Sequence, residues 1–99
     1  MLIKYDVGIG GANANGSVFV DDCATEDEIR IAIMNSLYEV WYEKNREDDL
    51  LRVKYEVNVG GGCTNGETFV SLNATDEEIL LDISYRLYYF EYEKTENNF

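Results

Sequence analysis

Carboxylates and tyrosines are the side chains through which this chain could act, because it contains no histidine. Of its 99 residues, 20 are Asp or Glu, 8 are Lys or Arg and 8 are Tyr. Lacking histidine, it has no access to the commonest general base, the usual nucleophile triads or most zinc sites. Two carboxylates can carry glycoside chemistry, but nothing marks one as held in a pocket that would raise its pKa. Asp21-Asp22 followed by Glu26-Asp27-Glu28 has the composition of a divalent-cation site. A calcium loop, however, needs ligands on alternate residues and a turn glycine, and that spacing is missing. Gly8-Ile9-Gly10-Gly11 and Gly60-Gly61-Gly62 invite comparison with a phosphate loop. Such loops lead into a helix N-terminus, whereas these follow one strand pattern and precede another, with no lysine inside. They read as hairpin turns. No enzyme activity, metal or cofactor is expected.

The tyrosines are clustered. Tyr38 and Tyr42 lie four apart, and Tyr85, Tyr88, Tyr89 and Tyr92 repeat at helical spacing. Tyrosine buries a large apolar body while keeping a polar tip, which suits interfaces. Two readings follow: the rings pack the helices together, or they form a partner or dimer surface. Acids lie among them. Glu39, Glu43 and Glu47 are spaced four apart, which on a helix gives a row of carboxylates about 6 Å apart. That is comparable to phosphate spacing along a nucleic-acid strand. Asp48 and Asp49 extend the row, and Glu93 sits beside Tyr92. The expected partner-binding surface is therefore Glu39, Glu43, Glu47, Asp48 and Asp49. Tyr38, Tyr42, Tyr85, Tyr89, Tyr92 and Glu93 complete it.

These groups must be positioned by a duplicated unit. Residues 3–44 match residues 53–94 at 19 of 42 positions without a gap. In each copy an alternating stretch (Ile3, Tyr5, Val7, Ile9; then Val53, Tyr55, Val57, Val59) predicts a half-buried strand. A Gly/Asn-rich turn and a second strand near Ser17–Asp21 or Glu67–Ser71 complete a hairpin. Thr25-Glu26-Asp27-Glu28 and Thr75-Asp76-Glu77-Glu78 are capping boxes. They account for most of the local acids, and Ser71-Leu72 replaces Asp21-Asp22 in the second copy. Helices are predicted over about 26–46, with a stripe of Ile29, Ile33, Leu37, Val40 and Trp41, and about 76–95, with Ile79, Ile83, Leu87 and Phe90. The expected fold is α+β, a tandem ββα repeat (ββαββα). It has a four-stranded antiparallel sheet in the order 2-1-3-4, both helices on one face and a pseudo-twofold axis. The hairpin tips should point to opposite ends. The chain reads as a single domain over 1–99, with repeats at about 1–46 and 51–96 joined by an acidic linker, 47–50.

Net charge is −12, beyond the magnitude of about 2–8 that keeps a small domain soluble. Both halves are acidic, with 11 acids against 4 bases in residues 1–50 and 9 against 4 in the rest. Such a field repels nucleic acid and anionic membranes and favours basic partners. Cys23 and Cys63 occupy non-equivalent repeat positions and read as free thiols. No apolar run approaches a membrane span of about 20 residues, and the N-terminal residues lack a signal-peptide layout, so a cytoplasmic location is expected. In size, charge and absence of active-site chemistry the chain resembles the small acidic DNA-mimic inhibitors of phages, of anti-CRISPR and anti-restriction type. The resemblance rests on no motif and assigns no residue. It implies binding to a basic nucleic-acid-binding nuclease or effector complex in the host cytoplasm, without direct nucleic-acid contact. The alternative is a homo-oligomeric structural or adaptor module, a homodimer through the tyrosine-rich helices.

Overall fold

The alternation at Ile3, Tyr5 and Val7 does form a strand, and its turn chemistry closes a hairpin in each copy. The computed structural model describes residues 1–95. Its elements are β1 (Leu2–Gly8), β2 (Asn13–Phe19), α1 (Glu26–Ser36), β3 (Glu39–Glu47), β4 (Leu50–Asn58), β5 (Cys63–Ser71), α2 (Asp76–Ser84) and β6 (Tyr89–Thr95). Gly10 and Gly60 take left-handed φ values of 97° and 90° in the two hairpin tips, a conformation glycine adopts without steric cost. Both capping boxes form: each threonine hydroxyl accepts from the N3 amide, and each N3 glutamate accepts from the threonine amide. These bonds favour the charged carboxylate and hold Glu28 and Glu78 below the usual glutamate pKa.

The expected topology is overturned. There are two antiparallel three-stranded sheets, β2-β1-β6 and β3-β4-β5, not one four-stranded sheet in the order 2-1-3-4. The difference begins at the helix ends. Leu37, Val40, Leu87 and Phe90 continue the helical stripe in sequence, but the helices stop at Ser36 and Ser84. Leu37 is already extended, with φ −70° and ψ 161°. Beyond it, Tyr38, Val40, Trp41 and Tyr42 are β-branched or aromatic, poor helix formers and good strand formers. Tertiary structure decides the matter, because β1 and β4 each have a second edge to satisfy. The repeat unit is therefore ββαβ, and its third strand crosses to the other repeat: β3 pairs with β4, and β6 pairs with β1. The exchange is reciprocal and in register. Lys54 faces Glu43 and Tyr55 faces Tyr42 in one sheet, as Lys4 faces Glu93 and Tyr5 faces Tyr92 in the other. The expected linker 47–50 shrinks to a two-residue turn, Asp48-Asp49, with Asp48 at φ 57°.

The hairpin tips meet rather than diverge. A Cβ at Gly62 would lie 3.2 Å from the Ala12 Cβ. From this meeting point the sheets extend in opposite directions, and the principal extents are 54 × 31 × 16 Å. One continuous core joins the repeats. Ile3, Val7, Ile29 and Ile33 from the first pack with Val53, Val57, Ile79 and Ile83 from the second, all with essentially no exposure.

Each central strand also places a tyrosine against a glycine on its neighbour. A Cβ at Gly66 would sit 2.7 Å from the Tyr55 hydroxyl oxygen; one at Gly16 would sit 2.9 Å from that of Tyr5. Tyr55 is buried and Tyr5 only half-buried, so the second ring has room to move. Gly66→Ala is expected to destabilise by about 1–3 kcal/mol, as overpacking does, and Gly16→Ala by clearly less. Urea denaturation of the two variants checks the order; equal losses would mean that the tyrosine contacts are not what limits these positions.

Candidate functional site: the open sheet faces

In each sheet, alternate residues point towards the helices and the others towards solvent. On the helix side lie Val53, Tyr55 and Val57, with their equivalents in β1. The opposite faces carry no further layer. On the β3-β4-β5 sheet that open face holds Glu39, Trp41, Glu43 and Glu47 from β3, Arg52, Lys54 and Glu56 from β4, and Glu67 and Phe69 from β5. On the β2-β1-β6 sheet it holds Lys4, Asp6, Glu91, Glu93 and Tyr89, with Phe19 near one end. Trp41 is 49% exposed, Phe69 51% and Phe19 73%.

Of the bases on these faces, Arg52 is ion-paired. Arg52 Nε lies 3.2 Å from Glu47 and its Nη1 3.9 Å from Glu67. Lys54 stands in register between Glu43 and Glu67. Glu39, Glu43 and Glu56 make no ion pair among the described residues. On the other sheet Asp6 lies directly opposite Glu91, a like-charge pairing that costs stability. Two donors relieve it, Asn13 Nδ2 at 2.9 Å and the Tyr89 hydroxyl at 3.1 Å. Tyr89 lies over Gly8, where an added Cβ would overlap its ring. Burial, and after it the bond to the Asp6 carboxylate, raises the Tyr89 pKa.

The sequence-predicted residues separate into groups. Glu39, Glu43 and Glu47 do share one face, but on a strand, where positions four apart are about 13 Å apart. The 6 Å helical row, and its match to phosphate spacing, is withdrawn. Asp48 and Asp49 occupy the distal turn beside them. Glu93 and Tyr89 lie on the open face of the other sheet. Tyr38 and its repeat equivalent Tyr88 are exposed, at 75% and 76%, where each helix passes into a strand. Tyr85 caps α2, and its ring stacks on Arg30, whose guanidinium lies 3.9 Å from Tyr85 and 4.1 Å from Phe90 while Nε donates to Ser84 Oγ. There is no tyrosine band on a helix.

Tyr42 and Tyr92 face inward and are structural. The Tyr42 hydroxyl donates to Asp76 at 2.6 Å, at the start of α2, and Lys44 joins the same carboxylate at 3.7 Å. Burial, then this bond, pushes the Tyr42 pKa up to about 12. The Asp76 carboxyl is held below its ordinary value, first by Tyr42 and then by Lys44. A raised phenol pKa stabilises the fold below pH 10, and that contribution disappears as pH climbs from 10 through about 12. A lowered carboxyl pKa stabilises above 3.8 and is lost as pH falls below it. Tyr42→Phe should therefore shift the Asp76 carboxyl titration upward, followed by NMR, and flatten the alkaline loss of stability between pH 10 and about 12. An unchanged Asp76 titration would show that this bond does not form in solution.

Trp41, Glu56, Glu67, Asp6 and Glu91 stand on these faces but were not among the expected partner-binding residues. The period-two alternation of Val40, Tyr42 and Lys44 against Trp41, Glu43 and Asn45 is the signal for Trp41 and, through the repeat, for Glu91. Among the described residues no group of His, Cys, Asp or Glu is arranged to hold a metal ion. Nor is any helix there long and apolar enough to cross a membrane. Cys23 and Cys63 are free and exposed. No family model, curated protein or solved structure matches the chain.

Proposed function

We propose that the protein is an acidic protein-binding inhibitor. In this reading it occupies the basic nucleic-acid-binding surface of a host defence effector, as anti-CRISPR and anti-restriction decoys do, and works in the host cytoplasm. The observation that carries this reading is the pair of open sheet faces, in which carboxylates and exposed aromatics are mixed and no covering layer is present. An acidic face raises the association rate with a basic partner and repels nucleic acid. Exposed aromatics within it provide the apolar area that turns encounter into residence. A molecule 54 Å long spans about 16 base pairs of B-DNA at a rise of about 3.4 Å per pair, which suits a nucleic-acid channel.

The test is displacement of DNA from purified CRISPR effector complexes and restriction enzymes, by mobility shift. Displacement by micromolar protein at about 50 mM salt, weakening steeply by about 500 mM, is the expected result, because surface charge interactions are screened over roughly 3–10 Å in that range. Displacement that ignores salt, or none from any effector tried, would remove the reading. The tyrosine-helix homodimer gains no support from the fold, since its tyrosines do not share a helix face.

A further inference from the structure

The two repeats place different residues at one exposed position, and this singles out one face. Trp41 and Glu91 are equivalent under the fifty-residue shift, and each lies on the open face of its third strand. Packing does not explain a tryptophan there, since the ring is 49% exposed and the same place in the other sheet is filled by a glutamate. Around Trp41 the register sets carboxylates on three sides. Glu39 and Glu43 lie two residues away along β3, about 6.7 Å distant, and Glu56 lies directly across on β4. The fourth side is free, because β3 is the outer strand of its sheet. Beside the ring is a shallow depression of about 340 Å³, lined by Trp41, Lys54, Glu56, Asn65, Gly66 and Glu67. A π-face bordered by carboxylates is complementary to a cation that can both stack and donate hydrogen bonds. Guanidinium does both, being planar, weakly hydrated and able to donate two parallel bonds to a carboxylate. The protein already uses this chemistry internally, with Arg30 between the Tyr85 and Phe90 rings.

Resting on the inhibitor reading, we infer that the β3-β4-β5 face docks an arginine-rich segment of the basic partner, with one guanidinium stacked on Trp41 among Glu39, Glu43 and Glu56. The β2-β1-β6 face, which has Glu91 at that place, does not make this contact. Engagement is therefore asymmetric despite the pseudo-twofold fold.

Trp41 is the only tryptophan in the chain, so its emission reports this face alone. The intact protein is titrated with an octa-arginine peptide and with octa-lysine at about 50 mM salt, followed by Trp41 fluorescence, acrylamide quenching and calorimetry. Octa-arginine is expected to shield Trp41 from acrylamide saturably and to bind several-fold tighter than octa-lysine. The variant Trp41→Glu, which copies the other repeat, gives the sharper result. Charge alone predicts tighter peptide binding, because one more carboxylate is added; the stacking site predicts binding roughly threefold to tenfold weaker. Trp41→Phe, which keeps a ring, should fall between. Unaltered quenching, equal affinity for the two peptides, or a Trp41→Glu variant that binds as well as or better than the parent would each overturn the assignment. These outcomes leave the inhibitor reading intact, because DNA displacement is measured separately.

Discussion

Ile33→Ala is expected to lower stability by about 2–5 kcal/mol, the range for removing a buried isoleucine side chain down to its Cβ. Ile33 has no measurable exposure and lies where residues of both repeats meet. A domain of this size has about 5–15 kcal/mol in total, so the loss is a large fraction of it. Ile83 is the equivalent residue, equally buried, and Ile83→Ala should cost a similar amount. The form of unfolding is as informative as its size. Each sheet takes two strands from one repeat and one from the other, so neither repeat can lose structure without opening both sheets. Urea transitions followed by circular dichroism and by Trp41 fluorescence should therefore coincide in the parent and in both variants. Separate transitions, with the Trp41 signal persisting after loss of half the dichroism, would show that the halves are independent.

Reversing Glu39, Glu43 and Glu56 to lysine is expected to slow association with octa-arginine by more than about tenfold at low salt. The β3-β4-β5 face carries Glu39, Glu43, Glu47, Glu56 and Glu67 against Arg52 and Lys54; after the change its sign is inverted. Electrostatic steering alters on-rates by about 10–10³-fold and fades with ionic strength, so the difference should narrow sharply at high salt. Stopped-flow Trp41 fluorescence supplies both rates. The cost to folding should be small, since all three glutamates are exposed. Glu43→Lys sets a like charge opposite Lys54, a pairing that costs less than about 1 kcal/mol. Reversal of Glu91 and Glu93 on the other sheet is the comparison, and it should slow association less. If the two sets act equally, the protein is read by its overall charge and not by one face.

Local chemistry made several features legible in advance. Thr25 and Thr75 each need only a neighbouring glutamate to cap a helix start, and Gly10 and Gly60 need only their freedom of φ to turn a hairpin. Ile29, Ile33, Ile79 and Ile83 declared a buried stripe by their spacing. Glu39, Glu43 and Glu47 were correctly chosen as surface carboxylates, although with the wrong spacing between them. Tyr42 and Tyr92 were placed in the interface by their type, yet both rings pack inside the chain, and the Tyr42 hydroxyl finds its partner at the start of α2.

The sequence by itself determined the duplication, the hairpins, the helix starts and the acidic charge, since each depends on residues within a few positions of one another or on composition. Only the tertiary structure decided where each helix stops and which strands pair. Residues 37–44 and 87–94 satisfy a helical stripe and a strand alternation about equally well, so periodicity cannot choose between them. The choice is made by the free hydrogen-bonding edges of β4 and β1, which belong to the other repeat and lie outside any local window. That same long-range pairing turned Trp41 from an apparent member of a helix core stripe into an exposed ring on the outer strand of an acidic sheet face.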